Sequence, residues 1–505
     1  MKKLTLPLLF FFAFVSTFFA QGFDLPSGVS VSNQMKYSYD QDLKREIFED
    51  WFNADYRYGI FKAGIRFDVF QPNDPNPAIS RGKEKYGDIG FKYLSVSLGK
   101  RKRGLDLTVG NFYSVFGRGL VVKIFENRNI RIDNNLLGAK FSGRYKAFRL
   151  TAFSGMPESA DAVRKDILHA ADLEFRGIKR TKIGVSFASN RPYLDGIATT
   201  NLLSGRVSAR FGKFDFYGEY GVKQNADLEN EIDRNIVGRG IYGNLNFYFG
   251  SFSVSTEYKY YDNFKFTSYD GTVVYNTPPS TTQDYSYILL NRHPHALNQD
   301  NEQGGQIAVN YVFDPTFDFK ANFGITKTLD DNSFYQIIKG THLDVRTQLT
   351  EAYAQLHKDW KNFMTIFAFG YGKELSANTE NFTPVFEGRY YLNDENTLRF
   401  VWEHQQVRVI STEEKYYDDV LVFEWMRSPD LVFSFVGEMQ TKEPTAGNLE
   451  REFWAFGMVT YNIFEGSELS LLIGSRHAGN ICVGGVCRYE PEFKGIELKM
   501  TNRIF

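Results

Sequence analysis

The residue types best suited to chemistry sit in one connection, Tyr113–Asp133, with sequence YSVFGRGLVVKIFENRNIRID. Here Arg118, Lys123, Glu126, Arg128, Arg131 and Asp133 surround the apolar residues Leu120, Val121, Val122, Ile124 and Phe125. A loop that meets only water seldom carries such a run. One expectation is that it folds into the lumen of a barrel or over its mouth, with its charges lining or constricting the passage. The other is that 119–125 merely extends a strand above a membrane. Two further clusters invite a chemical reading. His293-Pro294-His295 could ligate a metal, but the proline between the histidines and the lack of a carboxylate cluster nearby favour a rigid surface turn. Cys482 and Cys487, the only cysteines, flank Val-Gly-Gly-Val. In an exported chain that spacing reads as a disulfide across a tight turn. A metal there would need more ligands than His477, and a redox pair would favour Cys-x-x-Cys. No metal and no cofactor are expected.

No H-E-x-x-H and no G-x-S-x-G occurs, and Gly117-x-Gly119 lacks the G-K-[ST] of a phosphate loop. The chain is therefore not expected to be an enzyme. A membrane-embedded hydrolase would need a Ser/His pair in contact.

The elements that must position these residues are amphipathic strands. In Gly240–Tyr261, Ile241, Leu245, Phe247 and Phe249 alternate with Tyr242, Asn244, Asn246 and Tyr248. After Gly250-Ser251, Phe252, Val254, Tyr258 and Tyr260 alternate with Ser253, Ser255, Glu257 and Lys259. Period-two alternation around a tight turn specifies a β-hairpin with one oily and one polar face. Similar runs recur along the chain, about 24 of them to within about two. Short connections alternate with long polar ones, which include 40–49, 114–133, 262–303 and 373–382; 410–416 is short for its place. Aromatics flank the short turns: Tyr58 and Phe61, Phe211 and Phe214, Phe249 and Phe252, Trp360 and Phe363. Runs of about ten residues suit a tilted bilayer-spanning strand, whereas soluble sandwiches use shorter strands and propellers a repeat near forty. The fold class is all-β, a large antiparallel transmembrane β-barrel of about 24 strands, 22–26 at the limits of the reading. If the oily rows face lipid, then Arg206, Arg210, Asp215, Glu219, Glu257, Lys259, Asp318 and Lys320 are lumen wall.

The ends of the chain agree. Lys2 and Lys3 precede an apolar run to Ala20, so residues 1–20 read as a secretory signal peptide rather than a membrane anchor, and 21–505 as a single outer-membrane barrel. The final run, Ile496, Leu498, Met500 and Ile504 with terminal Phe505, is similar to the closing strand that barrel-assembly machinery recognises. Phe505 is out of phase with the row, which predicts a bulge or a one-residue shift at the closure. A formal net charge of −1 gives no basic excess for phosphate neutralisation, so nucleic acid is not an expected partner. Outer-membrane lipid is, and so is a periplasmic or surface protein.

GNFYSVFGRGLVVKIFENR, IDNNLLGAKF, EYKYYDNFKF, LNRHPHALNQDNEQGGQIAVNY and CVGGVCRYEPEFKGIEL together resemble a family of uncharacterised outer-membrane proteins of Bacteroidetes-type envelopes. The resemblance spans most of the chain and implies an outer-membrane barrel, but it supplies no catalytic residues and no substrate. Two functions fit. One is a passive channel or component of a transport pathway. The other is a structural or interaction barrel that docks partners in a secretion or surface-assembly machine.

Overall fold

A computed structural model describes residues 27–504 except 72–84, 101–102, 131, 159–163, 165, 194–198, 227–235, 343, 444–449 and 484–485. The wall is a single sheet of 24 antiparallel strands. Its first strand, Val29–Asp40, pairs with its last, Phe493–Ile504, and that pairing closes the barrel. Closure matters because an open edge would leave a row of unpaired N–H and C=O groups in hydrocarbon. Strands run from 9 to 16 residues. The hairpin described above forms the twelfth and thirteenth of them, Ile236–Phe249 and Phe252–Asp262, in register from Arg239–Asp262 to Phe249–Phe252. Its turn uses Gly250 at φ 59°, a left-handed conformation that glycine adopts without a Cβ clash.

Alternation sorts the side chains as the sequence dictates. In Thr181–Arg191, Ile183, Val185 and Phe187 are exposed on the outer face, while Ser186 and Ala188 are fully buried on the inner one. Successive side chains must point to opposite faces, so each strand offers apolar groups to lipid and polar groups to the lumen. At the short-turn rim, Tyr58, Phe211, Phe249 and Trp360 are among the most exposed aromatics. Several are paired: Trp360 lies parallel to Phe363 with ring centroids 5.5 Å apart, and Phe313 to Phe317 at 4.5 Å. This is an interfacial aromatic belt.

Two expectations need correction. The connections at 40–49 and 373–382 are not long: they reduce to turns at 41–44 and 375–378. The Asp40 carboxylate accepts the N–H groups of Asp42 and Leu43, at 3.0 and 2.8 Å. Lys44 at φ 48° and Asn378 at φ 57° complete the reversals, so the next strand begins at once. At the closure the register runs unbroken from Val31–Ile504 to Asp40–Gly495; Phe505, on which the expected irregularity rests, lies outside the described residues.

Candidate functional site

The long connections at 113–135 and 263–300 turn inward and pack against the inner face of the wall. Leu120, Val121, Val122 and Ile124 have no exposed surface. They form one apolar cluster with Phe112, Phe153, Leu168, Ala188 and Leu202 of the wall and with Phe264, Phe266 and Tyr275 of the second connection. Residues 119–125 do not extend a wall strand. Instead Ser114–Val115 pairs with Lys123–Ile124, and Glu126–Asn127 with Ile132–Asp133, in ladders separate from the wall. The two connections are stitched together by backbone. Asn276 Nδ2 donates to the carbonyls of Leu120 and Phe264, both at 3.0 Å, and the Lys123 N–H donates to the Tyr275 carbonyl at 2.8 Å. Buried backbone groups must find partners, and each inserted segment supplies those of the other.

The charges of the first segment anchor it. Buried Arg66 of strand Phe61–Gln71 donates Nη1 to Glu126 at 2.8 Å and Nη2 to Asp133 at 2.7 Å, while its Nε lies 2.9 Å from Asp68. Arg128 donates to Glu126 at 3.0 Å and to Gln34 of the first strand at 2.9 Å, and it lies over the Trp51 ring. The Tyr113 hydroxyl donates to Asp133 at 3.0 Å, and burial next to Asp133 pushes that phenol well above its usual range. Arg118 donates to the Tyr242 hydroxyl at 2.7 Å and stacks on Tyr217. Lys123 lies over Phe125, and burial lowers its amine. Arg131 lies outside the described residues.

The second segment continues across to the opposite wall. Tyr287, Leu289 and Leu290 pack on Ala368, Val385, Val401, Val420 and Val436. Wall carboxylates hold it. Glu403 accepts the N–H groups of Ile288 and Leu289 at 2.9 and 2.7 Å, and Glu387 accepts the Tyr287 hydroxyl at 3.1 Å. Arg292 donates to Glu438 at 2.9 Å, and Glu438 also meets His477 at 2.7 Å. Two bare positions in the wall act as sockets. A Cβ on Gly240 would lie 2.7 Å from the Phe264 ring, and one on Gly370 would lie 2.2 Å from Leu290. At Gly240 the Phe264 ring sits down on bare strand backbone, while at Gly370 a larger residue would push the Leu290 methyl aside.

His293 and His295 play opposite parts. Burial disfavours charge on His295, but Nδ1 faces Glu374 at 2.8 Å and Nε2 faces Glu302 at 3.2 Å, and these contacts lift it from 6.5 to about 9. Burial, with Arg292 and His477 alongside, lowers His293 to about 4. The signs follow from linkage. The docking that a charged His295 contributes is complete below pH 6.5 and is lost as pH rises through about 9. The docking that a neutral His293 contributes is complete above 6.5 and is lost as pH falls through about 4. Protease cleavage within 283–297, followed against pH, is expected to be slowest near 6.5. His295→Gln should flatten the alkaline rise; an unaltered rise in that variant would assign the effect elsewhere.

The remaining residues singled out from sequence are placed as follows. Arg206 bridges Asp172 at 2.6 and 2.9 Å and Ser186 at 2.7 Å, while Glu219 accepts from Ser204 and Tyr217. Arg210 and Asp215 form an exposed pair near a short turn. Glu257 accepts from Gln306 and Asn244. Lys259 is buried against Glu302, beside His295. Asp318 meets His357 at 2.6 Å, and Lys320 is exposed. The backbone of 479–490 sets Cys482 directly opposite Cys487; their side chains lie outside the described residues. Among the described residues no group of three or more His, Cys, Asp or Glu side chains could hold a metal ion. Arg66, Glu302, Glu374, Glu403 and Glu438 escaped the sequence reading. Their only signal is a charge on the polar row of a strand, which does not distinguish a solvated group from a buried one.

A closed wall with an apolar outer face, an aromatic belt and a polar interior defines an outer-membrane β-barrel. Residues 1–504 match the family of unknown function DUF6029, and the chain belongs to that family. No curated protein sequence matches it. Its fold is similar to a chain of the E. coli P pilus tip assembly intermediate PapC-PapD-PapK-PapG, with a TM-score of 0.51 and 9% identity. That match covers 94% of this chain and 60% of the other. The structure of the P pilus usher PapC translocation pore matches at TM-score 0.47 and 9% identity over 94% and 99% of the two chains. The siderophore receptor PirA from Pseudomonas aeruginosa matches at 0.44 and 8% over 95% and 81%. At such identities the likeness is one of fold.

Proposed function

We propose that the protein is a channel or transport-pathway component of the outer membrane that rests closed, with 113–135 and 263–300 as its internal plug. One observation carries this reading. The inserted segments bond to the wall from Gln34 in the first strand round to Glu438 in Leu431–Glu443, and a barrel of this strand number leaves a lumen that needs filling. The docking is specific, polar and partly pH-sensitive, which suits a structure that releases as well as holds. In this reading Arg118, Lys123, Glu126, Arg128, Arg131 and Asp133 belong to the plug. Arg206, Glu219, Glu257 and Lys259 are the wall it seats on.

The experiment is conductance in a planar bilayer. The full-length protein is expected to pass little steady current. A variant with 116–130 and 278–296 replaced by short Gly-Ser linkers is expected to show long-lived openings. Equal currents from both proteins, high or low, would sink the plug reading. The rest of the assignment follows from the same fold: the oily face meets outer-membrane lipid, and the last strand is the one presented to the barrel-assembly machinery. Cys482 and Cys487 form a disulfide on the long-loop side, which mass spectrometry of the unreduced protein would check.

A further inference from the structure

Beneath the Phe116–Leu120 turn, towards the short turns, the lumen holds a cavity of about 490 Å³. Five cations line it: Arg118 from the inserted segment, Arg176 and Arg180 from the turn that follows Ile167–Phe175, and Lys182 and Arg210 from the two strands beyond. Strand alternation places the last two. Ile183 and Leu203 are exposed on the outer face, so Lys182 and Arg210, an odd number of residues away, project into the lumen.

Counter-charge is scarce. The one carboxylate in the lining, Asp215, is held by both Nε and Nη2 of Arg210, at 2.5 and 2.7 Å. Arg176 is paired with Glu174. Arg180 and Lys182 are exposed and meet no carboxylate among the described residues. Arg118 is fixed by its hydrogen bond to Tyr242 and by the Tyr217 ring 4.5 Å away, which leaves further guanidinium N–H groups at the cavity. Like charges gathered in a concave site focus a positive potential. Guanidinium forks match phosphate and carboxylate geometry, and the volume lies in the range that encloses a small ligand.

We propose that this cavity binds a small, multiply charged anion bearing phosphate or carboxylate groups, admitted from the short-turn side. The anion would join Arg118 of the inserted segment to Arg180 and Lys182 of the wall. The site needs 113–135 docked against the wall, since Arg118 belongs to it, but it does not require that the segment ever open.

Calorimetric titration of the full-length protein in an uncharged detergent tests it, with inorganic triphosphate and citrate as separate probes. Saturable binding of at least one probe is expected. Arg180→Ala with Lys182→Ala should weaken that binding at least about tenfold, since two charge-assisted hydrogen bonds contribute more than the 1.4 kcal/mol that corresponds to tenfold. Lys361→Ala, a cation of another short turn, should leave it unchanged. Tighter triphosphate binding marks a phosphate-bearing ligand, and tighter citrate binding a carboxylate. Both altered residues are exposed, and an unchanged unfolding temperature confirms the fold. No saturable binding of either probe, or equal affinity in the doubly substituted protein, overturns the proposal.

Discussion

Arg66→Met is expected to destabilise the folded barrel by about 3–5 kcal/mol, the usual consequence of removing one partner from a buried ionic cluster. Arg66 is almost fully buried, and so are Asp68 and Asp133, with Glu126 only slightly more open. Without the guanidinium, three carboxylates face one another, and Arg128 reaches only Glu126 among them. Arg66→Lys is expected to recover less than half of the loss. A lysine is a point charge on a flexible stem, whereas the arginine fork directs separate nitrogens at Asp68, Glu126 and Asp133. Arg66 also lies over the Phe91 ring, which stacks on Tyr113 at 5.1 Å; the methylene stem of lysine would keep part of that contact. Urea unfolding in lipid vesicles measures the effect, and a loss below about 1 kcal/mol would show the cluster to be solvated rather than buried.

Glu403→Leu is expected to release the second inserted segment. The carboxylate accepts two backbone N–H groups, at Ile288 and Leu289, where a short helical turn begins. Each buried donor left without a partner costs about 1–3 kcal/mol, so the docked state loses about 2–6 kcal/mol. On the scale of 1.4 kcal/mol per tenfold, the undocked population rises at least about tenfold. Gln405 holds the same turn from its other side, its amide nitrogen donating to the Leu289 carbonyl and to Thr383. In bilayer recordings Glu403→Leu should open often, and Glu403→Gln, which keeps one acceptor, should fall between it and the parent protein. Recordings of Glu403→Leu that match the parent would remove Glu403 from the docking mechanism.

Much of the wall is legible in sequence because its physics is local. Alternation of period two, turn glycines and rim aromatics are each visible within ten residues, and the hairpin at 240–261 was recoverable to its register. The apolar run Leu120–Phe125 likewise declared that it needed burial. What it packs on was not legible, because Phe264, Phe266 and Tyr275 lie more than a hundred residues away, in a segment with no periodicity. Arg66 reads as one more polar-row charge until Glu126 and Asp133 are brought to it. The histidine pair invited a metal reading, and only the placement of Glu302 and Glu374 separates the charged His295 from the neutral His293. The sockets at Gly240 and Gly370 have no sequence signal at all, since glycine is frequent in these strands.

The wall and the plug differ in another respect, the distance along the chain that each contact must close. Wall pairing joins neighbouring hairpins, apart from the single closure between the first and last strands. The plug joins Arg66 to Glu126, Asn276 to Leu120, and Arg292 to His477, which is 185 residues away. Long-range contacts wait for the chain between them to be ordered. The wall on which Leu289 seats follows it in sequence, and the wall on which Phe116 seats is interrupted by Phe116 itself. The hairpins of the wall can therefore form before the plug seats, whereas the closure between Asp40 and Gly495 is longer-range still and is not ordered against the plug by distance. Pulsed proteolysis during refolding should find 263–300 cleavable after the strands have become resistant, and simultaneous protection of both would refute that order. For a cell, it means that the hairpins of each new copy are in place before the segments that fill the space between them.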